Sequence, residues 1–451
     1  MQVEELRRGQ VDTTQGVIWK QLLALFFPLW FGTLFQQLYN AVDTVVVGRF
    51  VGKAALAAVG CTGTVVSLTV GIFAGIASGA VVVIAQQYGA RRADRVREGV
   101  HTAMLLGVLM GAFFTVAGYL TAPWILRAMG TTPDTLEEAQ LYLRVYFLGM
   151  IPNVVYNMGT GVLRAIGDSR RPLYYLIAAS ICNIVLDLLL VIVFELGVLG
   201  VAVATILSQL LSAVLVVRSL MKAPGQSYQL FPRQMRMERQ SLKAILRLGV
   251  PAAVQSVMYS SSNIVIQAAI NDFGTDTVAA WTAYGKMDVV FWMTVSSMGL
   301  AVTTFAGQNF GAGRIDRLKQ GVRVSVWMSM VMAIVLSVLL FVFAHPLMSI
   351  FTPDAAVLDI GVAMVRFLVP TYVTYVLVEL LAGAIRGAGK SLAPTLISLF
   401  GVCALRLFWL LVVVPFHKTV YMVELSYPIT WTVTSVALAV YYVKGRWLET
   451  K

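Results

Sequence analysis

The sequence has few charged residues for its length. Only 12% of its 451 residues are Asp, Glu, Lys or Arg, whereas a soluble globular domain carries about 25%. Hydrophobic residues make up 58% of the chain, and the mean hydropathy is +0.79. This balance excludes an ordinary soluble protein. It predicts an all-α, polytopic membrane protein embedded in the lipid bilayer, which is its expected partner.

Residues that build metal and disulfide sites are also scarce. Cys61, Cys182 and Cys403 lie far apart in apolar segments and provide neither a disulfide framework nor metal-ligand spacing. The three histidines form no ligand cluster. The turns at Gly89 and Gly311 lack the GK[ST] of a phosphate-binding loop. We therefore expect no metal, no cofactor and, because no nucleophile–base pair lies at membrane depth, no enzyme.

The apolar segments predict twelve membrane-spanning helices, most of them longer than the ~20 residues that a bilayer requires. Six form an N-terminal lobe over residues 1–220, a polar linker covers 221–241, and six form a C-terminal lobe over 242–451. The spans are expected near 18–47, 54–85, 99–121, 136–161, 172–194, 198–220, 243–271, 277–307, 321–344, 357–385, 392–416 and 424–443.

Basic residues are distributed unevenly between the loops. Most of the 34 Lys and Arg residues fall on the side of the two termini. Cytoplasmic loops of membrane proteins carry such an excess. We therefore predict a multi-pass protein of the cell membrane with both termini in the cytoplasm. Topology explains the net charge of +12, so no nucleic-acid partner is expected.

The two halves of the chain are repeats of each other. AQQYGARRADRVREGV at 85–100 matches GQNFGAGRIDRLKQGV at 307–322, and LRAIGDSRRP at 163–172 matches IRGAGKSLAP at 385–394 with the same spacing. An even number of spans in each half gives a parallel repeat. In membrane proteins built from such repeats, a substrate site is expected between the halves.

The first span contains a single carboxylate. Asp43, Tyr39 and Gln36 fall on one face of this helix, because neighbours on a helix surface are three and four residues apart. An acid in a membrane span is costly to bury and marks a functional site by default. The alternative is an Asp that caps the helix or pairs structurally with a cation.

Three parts of the sequence resemble one transporter family. They are the first span, PLWFGTLFQQLYNAVDTVVVGRFVGKAALAAVG, the repeated GQNFGAG–R–DR loop, and the LRA-G-DS and IRG-G-KS loops. These segments resemble the multidrug and toxic compound extrusion (MATE) transporters, and the N-terminal half resembles their DinF-like branch. The resemblance implies two pseudo-symmetric six-helix bundles forming a V around a central cavity. It also implies export of amphipathic, usually cationic compounds, driven by proton or sodium entry.

The family's ion site carries over onto five positions of this sequence. The resemblance assigns Pro28 as a bend point in the first helix and implies a site formed by Tyr39, Asp43, Asn183, Asp187 and Thr205. Counted from the outer ends of their spans, Asp43, Asp187 and Thr205 lie at a similar depth of roughly 7–12 Å. This depth is an independent argument that they meet. The open alternatives are a structural, proton-sharing pair of acids and a static kink at Pro28.

Two acids at one depth suit ion coupling. Two neighbouring carboxylates in a low-dielectric site do not both ionise easily, so one of them takes up and releases a proton. Their oxygens also suit sodium, a hard cation. The coupling ion is therefore predicted to be H⁺ or Na⁺.

The C-terminal half lacks this pair and carries other charges within its spans: Lys286, Asp288, Glu379 and Arg406. The position of the glutamate that some family branches have in the seventh helix is Tyr259 here. Two acids and two bases favour a self-neutralising structural network, and a role in coupling or substrate binding is the alternative.

Aromatic, amide and methionine side chains suit a cavity for flat cations. The candidates for a substrate cavity are Gln36, Tyr39, Asn40, Asn157, Met258, Tyr259, Trp281, Tyr284 and Trp292. The predicted function is a monomeric secondary antiporter that exports amphipathic small molecules in exchange for H⁺ or Na⁺. The alternative is a flippase for lipid-linked precursors of the same superfamily, which would favour more cations in the cavity. A membrane enzyme or receptor is disfavoured.

Overall fold

A computed structural model describes residues 10–449, and no strand occurs among them. The first half contains α1 (Ile18–Val46), α2 (Lys53–Gly89), α3 (Ala93–Ala128), α4 (Pro133–Leu148), α5 (Met150–Ala165), α6 (Arg170–Asp187) and α7 (Gly197–Met221). The second half contains α8 (Arg239–Asn271), α9 (Thr275–Gly311), α10 (Ile315–Val342), α11 (Ala344–Ser349), α12 (Ala355–Leu368), α13 (Val373–Gly387), α14 (Leu392–Ser398), α15 (Leu405–Phe408) and α16 (Val420–Lys444). The predicted all-α class is confirmed.

Within residues 10–449, nine helical segments are long and apolar enough to cross a membrane. The remaining three predicted spans are helical but fall outside that set. Gly149 separates α4 from α5, so the span predicted near 136–161 consists of two helices of 16 residues each. In α8 and α16, Ser, Thr, Gln and Glu side chains lower the hydropathy. The nine segments are Ile18–Val51, Ala55–Gly89, Ala93–Ala128, Arg170–Val193, Gly197–Met221, Thr275–Gly311, Ile315–Val342, Ala355–Gly387 and Leu392–Phe416.

The chain divides into two compact units. The first comprises the segment ending at Asp12 together with Phe27–Ala253, and the second comprises Thr13–Phe26 together with Val254–Lys451. Along α1, the boundary between the two units falls between Phe26 and Phe27, close to Pro28. Along α8 it falls two residues after Pro251, which corresponds to Pro28 with a shift of one residue from the repeat spacing.

The repeated loops adopt the same backbone conformation in both halves. After α2 the chain turns through Arg91 at φ 56°, and after α9 it turns through Gly313 at φ 70°. After α5 the turn uses Gly167 at φ 85°, and after α13 it uses Gly389 at φ 87°. Glycine suits these left-handed positions because it has no Cβ, whereas Arg91 holds the same conformation with a side chain.

In the first unit, small residues bring α2 and α8 into close contact. A Cβ added at Gly75 would lie 2.4 Å from the nitrogen of Ala253, and one added at Gly79 would lie 2.6 Å from the nitrogen of Gly249. Membrane helices associate through such small residues because apolar burial gives no advantage inside lipid. These glycines therefore fix the position of α2, against which other helices of the unit pack.

Candidate functional site

Two aspartates meet inside the first unit. Asp43 lies near the end of α1, and Asp187 is the last residue of α6, fully buried. Their carboxyl groups are within range of a direct hydrogen bond. Immediately after Asp187 the helix widens into a π-helical segment, Leu188–Val193. Such π segments recur at functional sites, and here the change of helix type comes directly after the second aspartate.

The polar atoms around this pair lack donors. Apart from the approach of the two carboxyl groups to each other, both carboxyl oxygens of Asp187, Oδ1 of Asp43 and both amide atoms of Asn183 are buried without a hydrogen-bond partner of standard geometry within residues 10–449. No ion pair in that range involves either aspartate. Since carboxylates only accept hydrogen bonds, a bond between Asp43 and Asp187 requires a proton on one of them. Asn183 is 1% exposed, one turn before Asp187, and leaves its carbonyl oxygen available as a ligand.

The structure brings Tyr39 to this pair and directs Thr205 elsewhere. The hydroxyl of Tyr39 forms a hydrogen bond with the side chain of Gln36 and lies near the carboxyl group of Asp43. The hydroxyl of Thr205 is buried but donates to the carbonyl of its own helix at Val201, over 3.0 Å. Thr205 therefore has only acceptor capacity left for the site.

Two tyrosines of α4 complete the surroundings, and the sequence analysis missed them. Tyr142 and Tyr146 are buried and stack with ring centroids 6.2 Å apart. Tyr142 lies close enough to interact electrostatically with Asp43, Asp187 and Tyr39. Their spacing of one helical turn within an apolar span was the available indication, because a buried tyrosine hydroxyl needs a polar partner.

A second candidate site lies wholly within the second unit. It is a cavity of about 540 Å³. Of the predicted substrate-cavity residues, four line it: Tyr259, Trp281, Tyr284 and Trp292. Of the four charged residues predicted to form a network, three line it: Asp288, Glu379 and Arg406.

The other substrate-cavity candidates lie elsewhere. Gln36 and Asn40 are exposed on α1, and Tyr39 is half-buried there. Asn157 is half-buried, and its amide donates to the carbonyl oxygen of Asn153 over 2.9 Å. Met258 is half-buried on α8, outside the lining of the second-unit cavity.

Asp288 is surrounded by donors. It accepts hydrogen bonds from the hydroxyl of Tyr372 and the indole N–H of Trp292. The hydroxyl of Tyr284 lies 3.1 Å from that of Tyr372. Lys286, two residues before Asp288, is exposed and forms no ion pair among the residues that the structure describes.

The remaining two charges have separate partners. Glu379 pairs with Arg386, with 3.3 Å between Oε1 and Nη2. Arg406, only 4% exposed, donates to the hydroxyl of Thr430 over 3.2 Å and lies 4.2 Å from the ring centroid of Tyr427. Within residues 10–449, the four charged side chains predicted as a network form no ion pair with one another. Their contacts run instead to Arg386 and to aromatic or hydroxyl groups.

Comparison with known proteins identifies the family. The family described as MatE matches residues 28–189 and 251–410, once in each half of the chain. The chain belongs to the MatE family. "Probable multidrug resistance protein YoeA" of Bacillus subtilis is 30% identical over 432 residues, 94% of this chain and 93% of that protein. "Probable multidrug resistance protein YpnP" of the same organism is 27% identical over 395 residues, 88% of each chain.

Solved structures agree with this fold. A transporter of the MOP superfamily from Pyrococcus furiosus superposes with a TM-score of 0.90 at 22% identity, covering 98% of this chain and 99% of that one. The MatE chain described here is therefore a multi-pass membrane transporter and not an enzyme. Its relatives are named for multidrug resistance.

Proposed function

We propose that this MatE protein is a secondary antiporter that exports amphipathic, cationic small molecules in exchange for H⁺, with Na⁺ as the alternative ion. The observation that carries the proposal is the Asp43–Asp187 contact, in which buried carboxyl oxygens face each other without donors. A polar group buried without a partner is costly, so the site favours binding a proton or a cation.

The chemistry of the pair supports reversible ion binding. With one proton, a hydrogen bond joins Asp43 to Asp187 and the pair carries a single charge. Losing that proton leaves two buried negative charges without compensation, which favours a rearrangement or the entry of a cation. The carbonyl oxygen of Asn183 adds an oxygen ligand of the type that sodium prefers. Tyr39 connects the pair to Gln36 on the same helix face.

The second-unit cavity supports the proposed substrate class. Trp281, Trp292 and Tyr259 line it, and such rings attract flat cations through their electron-rich faces. Among its charged lining residues, two are acids and one is a base. Glu379 is paired with Arg386, whereas Asp288 has no ion-pair partner within residues 10–449. Asp288 and the aromatic rings together favour a cationic drug over a lipid pyrophosphate, the substrate type that a flippase would bind.

Pro28 supports a hinge in α1. It lies inside the continuous helix Ile18–Val46 and cannot donate to the helical ladder. The boundary between the two compact units falls one residue before Pro28, between Phe26 and Phe27. We propose that ion release at Asp43 alters the bend at Pro28 and so links ion binding to the transport movement. The protein would work as a monomer in the cell membrane, with both termini in the cytoplasm.

Transport in proteoliposomes tests the proposal. A cationic dye is loaded inside, and a pH gradient or a sodium gradient is imposed separately. We expect Asp43→Asn and Asp187→Asn each to abolish gradient-driven dye movement, because the remaining carboxyl no longer shares a proton. Asp272→Asn is the matched control, since Asp272 is exposed.

The outcomes separate the alternatives. Dye movement driven by pH alone supports proton coupling, and movement driven by sodium alone supports sodium coupling. Full gradient-driven transport by either well-expressed aspartate variant would overturn the assignment of the pair. Transport of a lipid-linked pyrophosphate without dye transport would favour the flippase.

A further inference from the structure

A groove on the second unit has a composition unlike the two sites above. It encloses about 300 Å³ between α10, α13 and α16. Its walls are apolar, formed by Val322, Val326 and Leu381. Two cations, Lys319 and Arg323, also line it. We call this feature the α10 groove.

The two cations are available to a ligand. Lys319 and Arg323 are four residues apart, so they lie on one face of α10, and both are exposed. Neither forms an ion pair within the part of the chain that the structure describes. Arg323 also lies near the hydroxyl of Tyr442, which lines the groove from α16.

The first half of the chain covers the corresponding surface with its own linker. At the spacing that relates Gln86 to Gln308, Lys319 corresponds to Arg97 and Arg323 to His101. The guanidinium of Arg97 lies 5.8 Å from the ring centroid of Phe231. The backbone nitrogen of Phe231 donates to Nε2 of His101 over 3.2 Å. A linker aromatic thus occupies in the first half the place that the α10 groove leaves open in the second.

The groove extends from the helix end towards the membrane interior. α10 begins at Ile315, so Lys319, Arg323 and Trp327 lie about 6, 12 and 18 Å along its axis. Trp327 is 68% exposed, and tryptophan favours the interface between lipid headgroups and chains. A ligand in the groove therefore meets cations at one end and apolar walls at the other.

We propose that the α10 groove binds an anionic phospholipid, with its phosphate on Lys319 and Arg323 and an acyl chain along Val326, Leu381 and Trp327. Charge complementarity selects the anionic headgroup, and basic pockets between membrane helices on the cytoplasmic side are suited to such lipids. The apolar wall selects a lipid over a soluble phosphate. The proposal is independent of the ion site, because Asp43 and Asp187 lie in the other unit.

Native mass spectrometry of the full-length protein tests this site. The purified protein is titrated with phosphatidylglycerol or with phosphatidylcholine carrying the same acyl chains, and retained lipid is measured. We expect preferential retention of phosphatidylglycerol. Lys319→Gln with Arg323→Gln should weaken that binding roughly tenfold or more and leave phosphatidylcholine binding unchanged. Each single variant should lose part of the preference.

A matched pair of cations serves as the control. Arg218 and Lys222 are also exposed and four residues apart, at the end of α7, and they lie outside the groove. Arg218→Gln with Lys222→Gln removes the same charge and should leave phosphatidylglycerol retention at the wild-type level. Equal losses in both double variants would overturn the site in favour of general surface charge. Displacement of the lipid by millimolar glycerol phosphate would also overturn it, as would unchanged retention in the groove variants.

Discussion

The contact between Asp43 and Asp187 predicts that the stability of the protein depends on pH in a specific way. Under the proposed assignment, the folded protein holds one proton between the carboxyl groups of Asp43 and Asp187. In the unfolded chain both carboxyl groups are exposed and release their protons near pH 4. Above that pH the folded state therefore binds more protons than the unfolded state. Stability then falls as pH rises, until the pair releases its proton.

The magnitude follows from the number of protons. One extra proton bound by the folded state changes the free energy of unfolding by about 1.4 kcal/mol per pH unit. Asp187→Asn removes the shared proton and supplies an amide that donates to Asp43, so this slope should largely disappear. At about pH 8 the variant should be at least as stable as the wild type, although it has lost transport.

Chemical denaturation in mild detergent between about pH 5 and about pH 8 measures this slope. Asp43→Asn should behave as Asp187→Asn does, and the exposed control Asp272→Asn should retain the wild-type slope. An unchanged slope in both site variants would refute the shared proton. A variant that is destabilised at every pH would instead indicate a structural pair that is needed for folding.

Two further predictions concern stability alone. Tyr372→Phe removes one of the two donors to Asp288 and should lower the free energy of unfolding by about 1–3 kcal/mol. Chemical denaturation measures this loss, and Tyr421→Phe, at an exposed tyrosine, is the control. Arg91→Gly should raise the free energy of unfolding by about 0.5–1 kcal/mol, because Arg91 has φ 56° at the position where the second half has Gly313. A loss of stability would show that the contacts of the Arg91 side chain outweigh the backbone strain.

Much of the fold was predictable because its determinants are local and repeated. Long apolar runs require helices in a bilayer, where each backbone group must bond within its own segment. The matching loops revealed the duplication, and in the structure Gly167 and Gly389 adopt the same left-handed conformation in equivalent turns. Helix interruptions were not predictable from hydropathy. Gly149 divides one predicted span into two helices. The π-helical segment after Asp187 depends on packing, which the spacing of apolar residues in the sequence does not show.

The site was predictable only where one residue type is out of place. An aspartate in an apolar span is conspicuous, and the depth argument paired Asp43 with Asp187. Tyr142 was missed because a tyrosine in a membrane span is unremarkable until its neighbours are known. The partners of Glu379 were also beyond the sequence, since charge counting alone does not show that Arg386 is nearer than Arg406.

The two halves of this MatE transporter place aspartates in opposite surroundings. Among residues 10–449, Asp187 receives no hydrogen bond of standard geometry, whereas Asp288 receives hydrogen bonds from Tyr372 and Trp292. Hydrogen bonds from fixed donors favour the charged form of a carboxylate, and protonation would lose them, whereas burial opposes the charge. A carboxylate facing only another carboxylate changes its charge readily. The repeated scaffold thus places the proposed ion pair in the first half and, in the second half, an acid with fixed donors that lines the proposed substrate cavity.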